Sequence, residues 1–77
     1  NNLPLSDIKE AGTYLLTRVH DSFELLQYLE KHSIHIGDQL QVKQFDGFSN
    51  TFTLIHNNEE LQVSLEIAKQ LYVEKMN

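Results

Sequence analysis

Apolar residues recur at every second position in several short stretches of this chain and at helical spacing in one. From Thr13 to His20, Leu15, Thr17 and Val19 alternate with Tyr14 and Leu16, which predicts a strand covered on both faces. Leu40 and Val42 alternate with Gln39, Gln41 and Lys43, as expected of a half-buried strand. Phe45 falls out of phase with them, so a bulge is expected near Gln44. Asp46-Gly47 opens a loop that runs through Asn50, and Thr51 to His56 is the next strand, with Phe52 and Leu54 on one face. Asn57-Asn58 turns the chain, with Glu59-Glu60 read as part of a solvated turn. Leu61, Val63 and Leu65 alternate again. Ser64 to Gln70 can form one short helical turn, and Leu71 to Lys75 reads as a closing strand, with Met76-Asn77 as a loose tail.

One segment has the helical period. Phe23, Leu25, Leu26 and Leu29 form an apolar stripe with Tyr28 at its margin, while Gln27, Glu30 and Lys31 occupy the other face. Asp21 stands three residues before Glu24, the spacing of a capping box, so Asp21 is the expected N-cap and the helix is expected to stop near Ser33. At about 11 residues this helix is marginal alone and must be held by packing of its stripe. At the start of the chain, Pro4 keeps Leu3 extended, Ser6 to Glu10 can make one turn anchored by Leu5 and Ile8, and Gly12 marks a turn. One helix inserted after the first of several hairpin-length strands predicts a mainly β fold, a small five-stranded barrel closed so that no edge is left open.

Composition narrows the functional classes. At 77 residues the chain is one domain, and a domain of this size buries roughly 60–65% of its unfolded surface. Without cysteine there is neither a disulfide framework nor a thiolate metal site, which fits a cytoplasmic protein. The net charge of −5, from 11 acidic and 6 basic residues, disfavours direct contact with nucleic acid. No apolar run is long enough to span a membrane, and the Asn-Asn-Leu-Pro start reads as a fragment of something longer. Neither a nucleophile elbow nor a Gly-rich phosphate loop is present, so an enzyme is not expected.

The order Leu5-Ser6-Asp7-Ile8, Gly12, Thr17-Arg18-Val19-His20-Asp21, Leu26-Gln27-Tyr28-Leu29, Ile34-His35-Ile36-Gly37-Asp38 and Leu71-Tyr72-Val73-Glu74 resembles the FeoA-type SH3-like domain. It looks most like the version that closes the C-terminus of metal-dependent repressors related to the diphtheria toxin repressor. The resemblance runs from Leu3 to Glu74. Ser33 departs from it by standing where the family usually places Gly, and Ile36 by standing where many members carry Pro. The resemblance implies that residues 1–77 are one domain of a longer, homodimeric repressor, preceded by winged-helix DNA-binding and dimerisation domains that are its partners. It also implies a side chain donated from the strand-to-helix junction to an ancillary Mn²⁺ or Fe²⁺ site lying mainly on those domains. Here that position is Asp21, with His20 beside it.

The residues themselves leave the roles open. Asp21 is a favoured cap, and a cap uses one carboxylate oxygen, leaving the other for a ligand. His20 is read as a ligand, as an orienter behind a ligand, or as a solvent-facing strand residue. Carboxylate and imidazole suit Mn²⁺ or Fe²⁺, but one or two ligands make no tight site, so the isolated domain is expected to bind metal poorly. His32 and His35 are expected to be exposed, His56 to lie on a strand face, and Phe45 with Phe48 to be either a sticky patch or part of the barrel. The alternative function is a stand-alone FeoA-like interaction module of a ferrous-iron transport system.

Overall fold

A computed structural model describes residues 2–76. The described residues form six strands, all paired antiparallel: β1 (Leu3–Pro4), β2 (Gly12–Val19), β3 (Gln39–Asp46), β4 (Thr51–His56), β5 (Glu59–Ser64) and β6 (Leu71–Lys75). Helix α1 (Phe23–Lys31) follows β2, a one-turn helix α2 (Leu65–Ala68) follows β5, and a 3-10 turn spans Leu5–Asp7. The sheet order is β1-β6-β2-β3-β4-β5 and the whole has an SH3-like curl. One strand exceeds the expected five: Leu3 and Pro4 pair with Val73 and Tyr72 along the free edge of β6. The pairing is two residues long because Pro4 offers no N–H and the chain turns at Leu5.

Alternation sorts the core as expected. Tyr14 and Leu16 of β2, Leu40 and Val42 of β3, Phe52 and Leu54 of β4, Val63 of β5 and Leu71 and Val73 of β6 all point inward and are buried. Leu25 and Leu29 of α1 close one end, and Leu5 with Ala68 fills the space between β6 and β5. The expected closed barrel is corrected here. Among the described residues no ladder joins β5 to β1; α2 and the 3-10 turn pack into that gap instead, so β5 keeps a free edge. Packing of α2 separates the strands because its Ser64 cap and buried Ala68 hold one helical turn where a ladder would run.

Two bulges shape the sheet. Between Val42 and Gln44 the register against β4 slips, as the phase of Phe45 predicts; Phe45 then lies against Phe52 at 4.6 Å between ring centroids, leaving Phe48 wholly exposed beyond it. A second slip, between Leu16 and Arg18, sets Arg18 opposite Tyr72. Met76, expected in a loose tail, donates its N–H to Thr13 O at 2.9 Å, while Asn77 lies outside the described residues. Glu59 and Glu60, expected in a turn, begin β5: Asn57 and Asn58 both take positive φ, 51° and 67°, and complete a two-residue hairpin turn by themselves.

Helix α1 ends at His32 with Ser33 in the left-handed region, φ 56°. Ser33 N–H donates to Glu30 O at 3.1 Å and Ile34 N–H to Leu29 O at 2.9 Å, the paired bonds of a Schellman ending. A serine there carries a Cβ penalty that glycine avoids. Ser33→Gly is therefore expected to stabilise the domain by about 0.5–1 kcal/mol after the greater chain entropy of glycine is counted. Thermal unfolding checks this, with a rise in Tm of roughly 2–8 °C; an unchanged or lower Tm refutes it.

Candidate functional site

The junction between β2 and α1 is built by two local choices. His20 N–H donates to Gln70 O at 3.0 Å, holding the end of β2 against the approach to β6, and Ser22 N–H donates back to His20 O at 3.0 Å, turning the chain sharply. The N-cap that follows is Ser22 rather than the expected Asp21. Ser22 sits in extended backbone at φ −127° and ψ 127°, its Oγ accepts from Leu25 N at 3.4 Å, and its carbonyl accepts the first helical bond from Leu26 N at 2.9 Å. Leu25 occupies the third helical position, so there is no capping box, and Glu24 contributes as an acidic residue in the first turn. Asp and Ser cap about equally well, so local chemistry does not choose between them. The choice follows from the junction's backbone bonds: with His20 N–H on Gln70 O and Ser22 N–H turned back on His20 O, the chain stays extended through Ser22 and the helix begins at Phe23.

Asp21 is thereby released. Its side chain is exposed and makes no hydrogen bond or ion pair among the described residues. His20 is also exposed, with Nε2 3.2 Å from the Tyr72 hydroxyl and its ring 5.5 Å from the Tyr72 ring. Tyr72 is in turn held by the Arg18 guanidinium, 3.9 Å above its ring centroid. The junction thus presents one unpaired carboxylate beside an imidazole whose orientation Tyr72 sets. Among the described residues no group of three His, Asp or Glu side chains could hold a metal ion. The donor set suits a hard or borderline divalent cation, but Asp21 and His20 alone do not complete a site.

A second polar cluster lies beyond the other end of α1, and sequence reasoning missed it. Asp38 Oδ2 accepts from His56 Nε2 at 2.8 Å and from the His35 N–H at 2.9 Å, with His35 Nδ1 at 3.7 Å. His56 is 5% exposed, on the core face of β4 with Phe52 and Leu54. The bond from His56 holds the Asp38 carboxyl below the ordinary carboxylate range; partial burial opposes this and the His35 N–H adds to it. An ionised carboxylate only accepts, so Nε2 carries the proton. Backbone bonds from Leu16 N to Asp38 O at 2.9 Å and from Gly37 N to Leu16 O at 2.8 Å tie the same loop to β2. Position 37 takes φ 97°, which glycine accommodates. His56 stands at i+4 and i+2 from Phe52 and Leu54, and that parity is the signal for its burial. His35 is exposed as expected, while His32 is half-buried against Tyr28, with ring centroids 4.5 Å apart.

The profile of the FeoA domain matches residues 3–75. The chain belongs to the FeoA domain family. No curated protein matches it by sequence. Among solved structures, the FeoA domain described here is similar to the manganese regulator SloR, with 42% identity, TM-score 0.91, and coverage of 95% of this chain and 34% of SloR. It is similar to ScaR, a manganese-activated repressor solved with bound Zn²⁺, with 42% identity, TM-score 0.92, and coverage of 96% of this chain and 37% of ScaR. A third similar structure is the metal-dependent transcriptional regulator MtsR, with 42% identity, TM-score 0.89, and coverage of 95% and 36%. The FeoA domain thus spans about a third of the length of these regulators. An iron uptake regulatory protein, FeoA, aligns over 99% of both chains with TM-score 0.83 but 16% identity, a likeness of fold alone. No helix among the described residues is long and apolar enough to cross a membrane.

Proposed function

We propose that this FeoA domain is the non-catalytic C-terminal module of a cytoplasmic, homodimeric, metal-dependent transcriptional repressor, preceded in the same chain by DNA-binding and dimerisation domains. The observation that supports this reading most is the 42% identity to three metal-linked regulators across nearly all of this chain but only a third of theirs. Asp21 is the side chain that leaves the domain to meet an interdomain Mn²⁺ or Fe²⁺, with His20 as a second donor or an orienter. The free carboxylate of Asp21 supports the assignment, because a cap residue is partly occupied and this one is not. A cation shared between domains favours the arrangement that supplies all its ligands, and it biases the repressor toward that state only by binding it more tightly than the alternatives. The acidic balance, −5, leaves contact with DNA to the other domains.

The test is calorimetric titration of the full-length parent protein with Mn²⁺, wild type against Asp21→Ala. Weakened binding together with weaker metal-dependent DNA binding is expected; unchanged values for both overturn the ligand assignment. The 77-residue domain alone is expected to bind Mn²⁺ more weakly than about 1 mM, since even complete oxygen cages in extracellular calcium modules reach only about that range.

A further inference from the structure

The free edge of β5 is an open hydrogen-bonding surface. Asn57 and Asn58, at φ 51° and 67°, make a two-residue turn, which makes His56 and Glu59 a hydrogen-bonded pair. The bonds to β4 then recur at Leu61 and Val63, and Leu65 N–H to Asn50 O at 2.9 Å continues the same phase. The N–H and C=O groups of Glu60 and Gln62 therefore point away from β4 and have no backbone partner among the described residues. The opposite edge differs: β1 is two residues long and contains Pro4. Beside the first half of β5 lies a cleft of about 380 Å³, bounded by the end of α1 at Lys31 to Ser33 and by Glu59 and Leu61. Leu61 is half-buried and lines this cleft.

We propose that this edge accepts an extended basic segment of a partner protein as an added antiparallel strand. Pairing through Glu60 and Gln62 supplies four main-chain hydrogen bonds. Period-two alternation then fixes the side chains. The residue opposite Glu60 shares its outer face and is best an Arg or Lys, and the residue next to it lies over Leu61 beside the cleft and is best apolar. A second copy of this chain is the poorer occupant. Two β5 edges paired together bring Glu59 and Glu60 of both chains onto one strand pair, between molecules each carrying −5.

The probe is the peptide acetyl-Thr-Val-Arg-Val-Thr-amide, with a control in which Glu replaces Arg, added to the 77-residue domain and read by amide hydrogen exchange and chemical shift. In the free protein the Glu60 and Gln62 amides are expected to exchange rapidly, and the Arg peptide is expected to slow both while the Glu peptide does not. Glu60→Gln is expected to weaken binding about two- to fivefold, the worth of a cross-strand charge pair. Gln62→Pro is expected to abolish it, because it removes an outward N–H that the fold does not use. Peptide N-methylated at the residue opposite Glu60 gives the same readout without altering the protein. Binding that leaves the two amides unprotected, or no binding, overturns the proposal. Concentration-dependent protection in the free protein also overturns it, in favour of a second copy.

Discussion

Asp38→Ala is expected to lower the stability of the domain by about 2 kcal/mol, although Asp38 belongs to no helix or strand and is still partly exposed to solvent. One oxygen of this carboxylate accepts two hydrogen bonds, from a side chain 5% exposed and from a backbone N–H. Removing it leaves the His56 N–H buried without an acceptor, and an unsatisfied buried donor costs roughly 1–3 kcal/mol. It also removes the acceptor of the His35 N–H, while the backbone bonds between Leu16 and this loop remain. The expected fall in Tm is roughly 8–16 °C for a domain this small, measured by thermal unfolding at neutral pH. A loss below about 0.5 kcal/mol would show that water replaces the carboxylate at no cost. The same contact predicts a pH signature. Because the folded-state pKa of Asp38 is depressed, its stabilisation is fully present above the unfolded value, about 3.9, and disappears as pH falls through the lower folded value. Wild type and Asp38→Ala are therefore expected to converge in stability below about pH 4. A difference that persists undiminished through that range would place the effect elsewhere.

Asp21→Ala is expected to do the reverse, leaving the fold intact and damaging the parent protein's response to metal. Since Ser22 is the cap, the loss in stability is expected to stay within about 0.5 kcal/mol, the range of an ordinary exposed substitution. Ser22→Ala is expected to cost about 1 kcal/mol. In the full-length repressor, removing a ligand from an interdomain site is expected to weaken Mn²⁺ binding by about tenfold or more, since even the loss of a residue behind a ligand costs 10- to 100-fold at metal sites. Ser22→Ala then serves as the control: it perturbs the helix start and leaves the Asp21 carboxylate in place. Equal loss of metal affinity in the two variants would mean that the junction acts through its backbone geometry. Loss confined to Asp21→Ala is the outcome that a ligand role requires.

Much of the fold is legible in the sequence because period two and period 3.6 are local signals. Tyr14 and Leu16, Leu40 and Val42, Phe52 and Leu54 are buried where alternation puts them, and so are Leu25 and Leu29 of the helical stripe, whereas Phe23 and Leu26, expected on the same stripe, are 75% and 44% exposed. The bulge before Phe45 is legible for the same reason, since one extra residue in a strand shifts every later side chain to the opposite face. The order of short motifs, from Leu5 through Asp38 to Glu74, also carries the family, because spacing along the chain preserves topology even where single residues vary.

Other features were decided only by contacts between distant segments. Asp21 and Ser22 compete as caps with nearly equal local preference, and the bond from His20 N–H to the distant Gln70 O, with Ser22 N–H turned back on His20 O, keeps the chain extended through Ser22 and settles the competition by one residue. That single step converts Asp21 from an occupied cap into a free carboxylate. Asp38 and His56 are 18 residues apart, and no local rule couples a residue after a glycine to the last residue of a strand. Whether the sheet closes depends on how α2 and the 3-10 turn share the space beside Leu5 and Ala68, which is a matter of volume rather than pattern. Local patterning suffices for five of the six strands, the long helix and the family, whereas the pairing of Leu3–Pro4 with β6, the Asp38–His56 bond, the open edge of β5 and the release of Asp21 from the cap depend on tertiary contacts. Pattern is carried by neighbours in the chain, whereas satisfaction of a polar group depends on whatever the fold brings beside it.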